Sequence, residues 1–217
     1  MYRTHRIVAE LLLAGGLLVN AGAQAVEIVI EKGVEDPIPI AIVPFSFSQA
    51  AMPPVDIAAI ISADLTRSGR FAVMEEKDHP QQPHDFNDIR FKDWQRLGRE
   101  NLVVGQLKQT EHGDFVVDFR LVDVYQGQQL AGFSIPATAL QLRRTAHEIS
   151  DIIYEKLIGV PGAFATRIIY VTEVKSGNDA RYTLQVSDAD GYNPQILLDS
   201  SQPIMSPVDR KSTRLNS

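Results

Sequence analysis

Between residues 139 and 158 the apolar side chains Leu142, Ala146, Ile149, Ile153 and Leu157 recur at three- and four-residue steps. This is the spacing of one face of an α-helix. Arg143, Arg144, Glu148, Asp151, Glu155 and Lys156 fill positions between them, and Arg144 and Glu148 stand four apart, a pairing worth ~0.2–0.5 kcal/mol. Such a helix needs a second layer to cover its stripe. Directly after it comes "GVPGAF" (159–164), a cluster of chain breakers that ends the helix and divides the chain. A long one-sided helix followed by a forced break constrains the fold more than any other feature of this sequence.

The residues before the helix supply the covering layer. "VEIVIEK" (26–32) alternates, with Val26, Ile28 and Ile30 on one side and Glu27, Val29 and Glu31 on the other. That predicts a strand, ended by Gly33. "IPIAIVPF" (38–45) predicts a more buried strand that stops near Pro44. Pro53-Pro54 suit the start of a helix, and Ala58, Ile61 and Leu65 form its stripe, with Ile57 and Ile60 alongside and Gly69 closing it. "RFAVM" is a short strand, residues 75–90 a polar, proline-broken loop, and "FKDWQRLG" (91–98) a short helix closed by Gly98. Three strands then follow through short glycine-bearing turns, "NLVVGQLKQT", "FVVDFRLVDV" and "QLAGFSIPA". In the middle one Phe115, Val117, Phe119 and Leu121 share a face, which predicts an antiparallel meander with one face on a core. These pieces predict an α+β fold: a mixed sheet of about five strands, one face covered by two helices. Beyond the break, "RIIYVTEV", "RYTLQVSD" and "PQILLDSS" predict three short strands, the size of one blade of a repeat fold. A single repeat cannot bury its own faces.

The first 25 residues have a different purpose. Arg3 and Arg6 precede the apolar run "LLLAGGLLV" and the small-x-small triplet Ala23-Gln24-Ala25. This is the pattern of a secretory signal peptide cleaved after Ala25. The apolar run is too short to span ~30 Å of hydrocarbon, so the mature product is expected to be exported and not membrane-spanning. The chain has no cysteine, which removes disulfides, thiol nucleophiles and thiolate metal sites. Its net charge of −6 comes without any lysine- or arginine-rich run; nucleic-acid binding, which groups cations on one face, is not expected.

The candidate chemical motifs are incomplete. His147-Glu148 opens like a zinc-protease helix, but that site needs a second histidine at i+4, and Asp151 stands there. The apolar stripe leaves His147 near its border, so a place on the helix surface is expected, and no metal centre. His79 and His84 share the polar loop with Asp78 and Asp85, a composition ordinary for loops. "DADG" (188–191) resembles the start of a calcium loop, but the flanks are strands and the later ligand pattern is missing, so a hairpin turn is expected. There is no G-x-S-x-G, phosphate loop or G-x-G-x-x-G, and Ser68-Gly69-Arg70 has no recognisable partner base. Trp94, the only tryptophan, is expected in a core. No catalytic, cofactor-binding or metal-binding residue is assigned, and a binding protein is expected rather than an enzyme.

The order of the pieces resembles one family. "VEIVIEKG" directly after an export signal, "IAIVPF", "DLTRSGRFAVM", "WQRLGRENLVVGQL" and "AHEISDIIYEKLIGVPGAFATRIIYV" are similar to TolB, the periplasmic component of the Tol-Pal envelope system. "YTLQVSDADGYNPQILLDSSQPIMSP" resembles the first blade of that family's propeller. The resemblance covers residues 26–207 and implies an N-terminal α+β domain (26–160), then the first blade (163–207) of an incomplete β-propeller, with 159–164 as the hinge. It implies a non-enzymatic periplasmic adaptor without cofactor. The adaptor links TolA to the lipoprotein Pal, supports outer-membrane integrity and constriction at cell division, and is exploited by some bacteriocins for import. By position, the TolA-binding segment is Val26, Glu27, Ile28, Val29, Ile30, Glu31, Lys32 and Gly33. The family's Pal surface lies on the propeller, so one blade implies TolA contact more directly than Pal contact, and other envelope proteins are further possible partners. Residues 208–217, "VDRKSTRLNS", depart from the family's continuation into a tryptophan-bearing turn.

Two other readings compete. An exported small-ligand or peptide-binding α+β domain would need a concave apolar pocket with converging polar groups. A metal-dependent hydrolase using His79 or His147 would require bound zinc.

Overall fold

The computed structural model describes residues 36–47, 49, 53–177 and 179–205. The expected signal peptide (1–25), the leading strand 26–33 and the tail 208–217 lie outside the described residues.

The first sheet is built around β1 (Ile38–Ile42), which runs parallel to β3 (Phe71–Val73) on one side and to β4 (Asn101–Gln109) on the other. Val43 extends the ladder, donating its N–H to the Val103 carbonyl at 2.9 Å. Pro44 has no N–H to offer and interrupts it. The chain rejoins the same neighbour as β2 (Ser46–Phe47), parallel to β4 at Gln106 and Leu107. β4, β5 (Phe115–Asp123) and β6 (Gln128–Ala137) form the expected antiparallel meander. The sheet is mixed, with six strands in the order β3-β1-β4-β5-β6 and β2 beside β4. Two-residue β2 is too short to announce itself by alternation.

α1 (Ile57–Arg67) and α3 (Leu142–Ile158) cover one face. α1 is opened not by Pro53-Pro54 but by Asp56, whose side chain accepts the Ala59 N–H at 2.9 Å. α3 begins three residues later than the periodicity suggests. Gln141 Oε1 accepts both the N–H and the hydroxyl of Thr138, each at 2.9 Å, closing a turn just before the helix. It ends where expected, at Gly159, whose φ of +85° a side chain would oppose. Ile40, Ile42, Ile61, Leu65, Phe119, Leu121, Ile149 and Ile153 meet in the core between these helices and the sheet.

The opposite face is covered as well, over part of its area. α2 (Phe91–Arg96) and the segment before it bring Trp94 and Ile89 onto Ala41, Val43, Leu102 and Val104. Trp94 is fully buried, as its sequence context suggests. A bulge between Leu121 and Val122 shifts the register of β5 against β6, and Val122 and Val124 join this second core. Asp118 remains on a polar stretch, bound by Lys108 at 2.6 Å and by the Ser134 hydroxyl.

β7 (Arg167–Ser176), β8 (Asp179–Asp188) and β9 (Gln195–Ser200) form a separate antiparallel sheet in chain order. Ile196, Leu197 and Leu198 on β9 are exposed, as a lone repeat leaves them. Among the described residues no helix is long and apolar enough to cross a membrane.

Candidate functional site

A polar cluster lies where α3, α1 and the turn after β8 meet. His147 is only 2% exposed, contrary to the surface position its place at the stripe border suggested. Stripe geometry counts only the sheet side of a helix. Here α1 packs along α3, and the 188–192 turn supplies a carboxylate on the other side of the ring. His147 Nδ1 lies 2.7 Å from Asp64 Oδ2. A carboxylate accepts only, so this bond places a proton on Nδ1.

Asp64 is 1% exposed and also accepts from Arg67 Nη2 at 2.8 Å. Its position was readable. Ile57, Ile61 and Leu65 mark the buried stripe of α1, and a carboxylate one residue before Leu65 falls on that stripe and requires a partner. What the sequence did not show was which partner, since His147 lies 83 residues away.

The turn brings two more carboxylates. "DADG" is a tight turn, as expected: Gly191 has φ +84°, and Asp190 Oδ1 accepts the Tyr192 N–H at 3.0 Å. Asp190 Oδ2 binds Arg143 Nη2 and stands 3.7 Å from His147 Nε2. Asp188 Oδ2 is 3.9 Å from Arg143 Nε, and the Arg143 guanidinium lies over the Tyr192 ring, 3.9 Å from its centroid. Burial works against the charge on Asp190. The Tyr192 N–H and the nearby Arg143, His147 and Arg67 outweigh it and hold the carboxyl below its ordinary range.

The break at 159–164 is tied down beside this cluster. Asp151, which stands where a metal-binding helix would need its second histidine, accepts the N–H groups of Phe164 and Ala165 at 2.7 and 3.1 Å. Phe164 stacks edge-on to Tyr154, which does the same to Phe71. Gly162 passes so close to α3 that a Cβ there would sit 2.8 Å from Asp151 Cα. A hollow of about 300 Å³ adjoins this linker, lined by Arg67, Tyr154, Pro161 and Phe164 among others.

The other histidine candidates are not assembled. His79 packs edge-on to Trp94 at 5.5 Å, and burial holds its imidazole below the ordinary value against the pull of the Met74 backbone, Glu76 and Asp78. His84 lies apart, its carbonyl accepting from Gln106 at 3.4 Å. Among the described residues the one grouping of donors spaced to share a metal ion is His147, Asp188 and Asp190. Ser68 is the C-cap of α1, its hydroxyl donating to the Leu65 carbonyl at 2.6 Å. The proposed partner-binding residues Val26 to Gly33 lie outside the described residues.

Comparison with known proteins bears on the fold that carries this cluster. The TolB amino-terminal domain matches residues 26–130 and the TolB beta propeller domain residues 154–214. The Tol-Pal system protein TolB of Thioalkalivibrio sulfidiphilus is 47% identical over 94% of this chain and 47% of its own length. That of Nitrosococcus oceani is 43% identical over 94% of this chain and 47% of its own. The crystal structure of TolB from Acinetobacter baumannii superposes with a TM-score of 0.69 at 39% identity, covering 79% of this chain and 41% of that one. The chain spans about half the length of the curated relatives it matches, and the β7–β9 sheet fits part of a propeller. The relatives' names carry no catalytic activity. With both TolB domain models matched in order along one chain, and a mixed α+β layer followed by a blade-like sheet, this protein belongs to the TolB family of the Tol-Pal system.

Proposed function

We propose that this chain is a periplasmic adaptor of the Tol-Pal system, a binding protein and not an enzyme, that links TolA to Pal. In this reading residues 1–25 direct export and are removed. Residues 26–160 are the domain that carries the TolA-binding segment 26–33. Residues 163–207 begin the propeller that meets Pal. The linkage serves outer-membrane integrity and envelope constriction at division.

One observation carries the reading: both TolB models match here in family order, and relatives sharing 43–47% of residues bear the name Tol-Pal system protein TolB. The sequence of the leading segment suits the role. Its alternation of Val26, Ile28 and Ile30 with Glu27, Val29 and Glu31 is that of a strand able to join a partner's sheet edge through backbone hydrogen bonds. A strand near a chain terminus detaches at low cost.

The test is TolA binding by the mature chain, measured by calorimetry, with and without residues 26–33. Loss of at least about tenfold in affinity on deletion is expected, corresponding to ~1.4 kcal/mol of strand contact. Unchanged affinity refutes the assignment of the segment. Failure of the intact mature chain to bind either TolA or Pal refutes the adaptor reading for this chain.

A further inference from the structure

We propose that His147, Asp188 and Asp190 form a site for a divalent transition-metal ion of the zinc type, which ties α3 to the turn between β8 and β9. The inference is independent of the partner assignments above.

Three observations converge on it. First, His147 Nε2 is buried, has no hydrogen-bond partner, and faces Asp190. A buried polar atom without a partner is costly and calls for an explanation, and a bound ion satisfies it. Second, the other ring nitrogen is already held by Asp64 at 2.7 Å. A carboxylate on the far nitrogen is the arrangement that orients metal-binding histidines and raises their basicity. Third, the donor atoms of the three residues lie within 4.8 Å of one another. His147 Nε2 and Asp190 Oδ2 are 3.7 Å apart. Two ligands at ~2.0–2.1 Å from a tetrahedral ion stand about 3.3–3.4 Å apart, so that pair needs to close by only a few tenths of an ångström.

The donor set selects the ion. One imidazole with two carboxylates suits zinc and its neighbours, whereas calcium and magnesium prefer oxygen alone. Three protein donors leave the remaining coordination to solvent.

Arg143 is the competitor. Its guanidinium holds Asp190 and lies near Asp188, giving those carboxylates the positive charge a metal would give. Binding therefore exchanges one cation for another: Arg143 leaves the carboxylates, and the ion takes them together with Nε2, which gives up to solvent any proton it carries. The Tyr192 ring already under the guanidinium gives the displaced arginine a place to rest. This exchange weakens the site relative to an open one and predicts a signature that a purely structural cluster lacks: removing Arg143 tightens the metal.

The experiment titrates the chelator-treated chain with zinc chloride against a chromophoric competitor, and follows the histidine ring nitrogens by 15N NMR. The expected result is one zinc per chain, with the shift at His147 Nε2 and not Nδ1. Asp188→Asn and Asp190→Asn, which keep side-chain shape, weaken binding by at least about tenfold. Arg143→Met tightens it by about threefold or more through loss of the competing charge. The proposal is overturned if no stoichiometric binding occurs below about 100 µM, if both asparagine variants bind as the parent does, or if Arg143→Met weakens binding. Should a variant fail to fold, the NMR measurement on the unmodified chain decides alone: no perturbation at His147 Nε2 overturns the site.

Discussion

Replacing Asp64 by alanine should be among the most damaging single changes in this chain, although the residue touches no proposed partner. Its carboxylate makes two bonds of unequal worth. The bond to His147, at 2.7 Å, joins side chains that are 1% and 2% exposed, so neither group recovers hydration when the other is removed. A hydrogen bond to a charged group contributes ~1.5–3 kcal/mol, and a buried donor left without an acceptor costs ~1–3 kcal/mol. The Arg67 pair at 2.8 Å has its arginine 42% exposed, and exposed pairs are worth ~0–1 kcal/mol. Allowing for overlap between these effects, the loss is ~3–5 kcal/mol. That is a large share of the ~5–15 kcal/mol that holds a typical domain folded.

Urea unfolding of the parent, Asp64→Ala, His147→Ala and the double variant gives the loss and the coupling between the two residues. The coupling should be ~2 kcal/mol or more, because the second removal no longer strands a buried group. A loss below ~1 kcal/mol, or additive single losses, would show that the pair is hydrated or interchangeable and refute this reasoning.

Other expectations follow from the same structure. Gly105→Ala places a methyl group 2.6 Å from the Asp118 carbonyl oxygen and against the Phe45 ring. The ring can move but the backbone of β5 cannot, so a loss of ~1–3 kcal/mol in thermal or urea unfolding is expected. Gly162→Ala, by pushing against Asp151, should free the linker, and limited proteolysis should cut between residues 159 and 166 faster than in the parent. Asp118 gives a pH dependence of definite sign. Burial opposes its charge, but Lys108, Ser134 and Arg120 together hold its carboxyl below the ordinary range. A group lowered in the folded state contributes stability that is present above its unfolded value and lost as pH falls through the folded one. Stability should therefore drop below about pH 4, and Asp118→Asn should flatten that part of the curve, as measured by unfolding at stepped pH.

The elements legible from sequence are those whose cause is local. The stripe of α3, the alternation along β5 and the glycine turns each follow from where neighbouring side chains point, and the long matched stretches placed the chain in its family before any coordinate. The positive φ at Gly69, Gly98 and Gly159 sits where the helix patterns end. Asp64 was half legible, since a carboxylate on a buried stripe demands a partner without naming it.

What tertiary structure alone decided is which elements meet. β1 lies parallel to both β3 and β4, a pairing that no local pattern encodes because strand partners are chosen by the whole fold. The second core around Trp94 forms only because α2 folds under the sheet. His147 shows the limit most clearly. A helix pattern states which side faces a core but is silent about what covers its border. Burial of His147 came from α1, and its facing carboxylate from Asp190, both far away in the chain. Two motifs that were each weak in isolation, "HE" at 147–148 and "DADG" at 188–191, become one site only when the chain has folded, since charge and coordination depend on distance in space and not along the sequence.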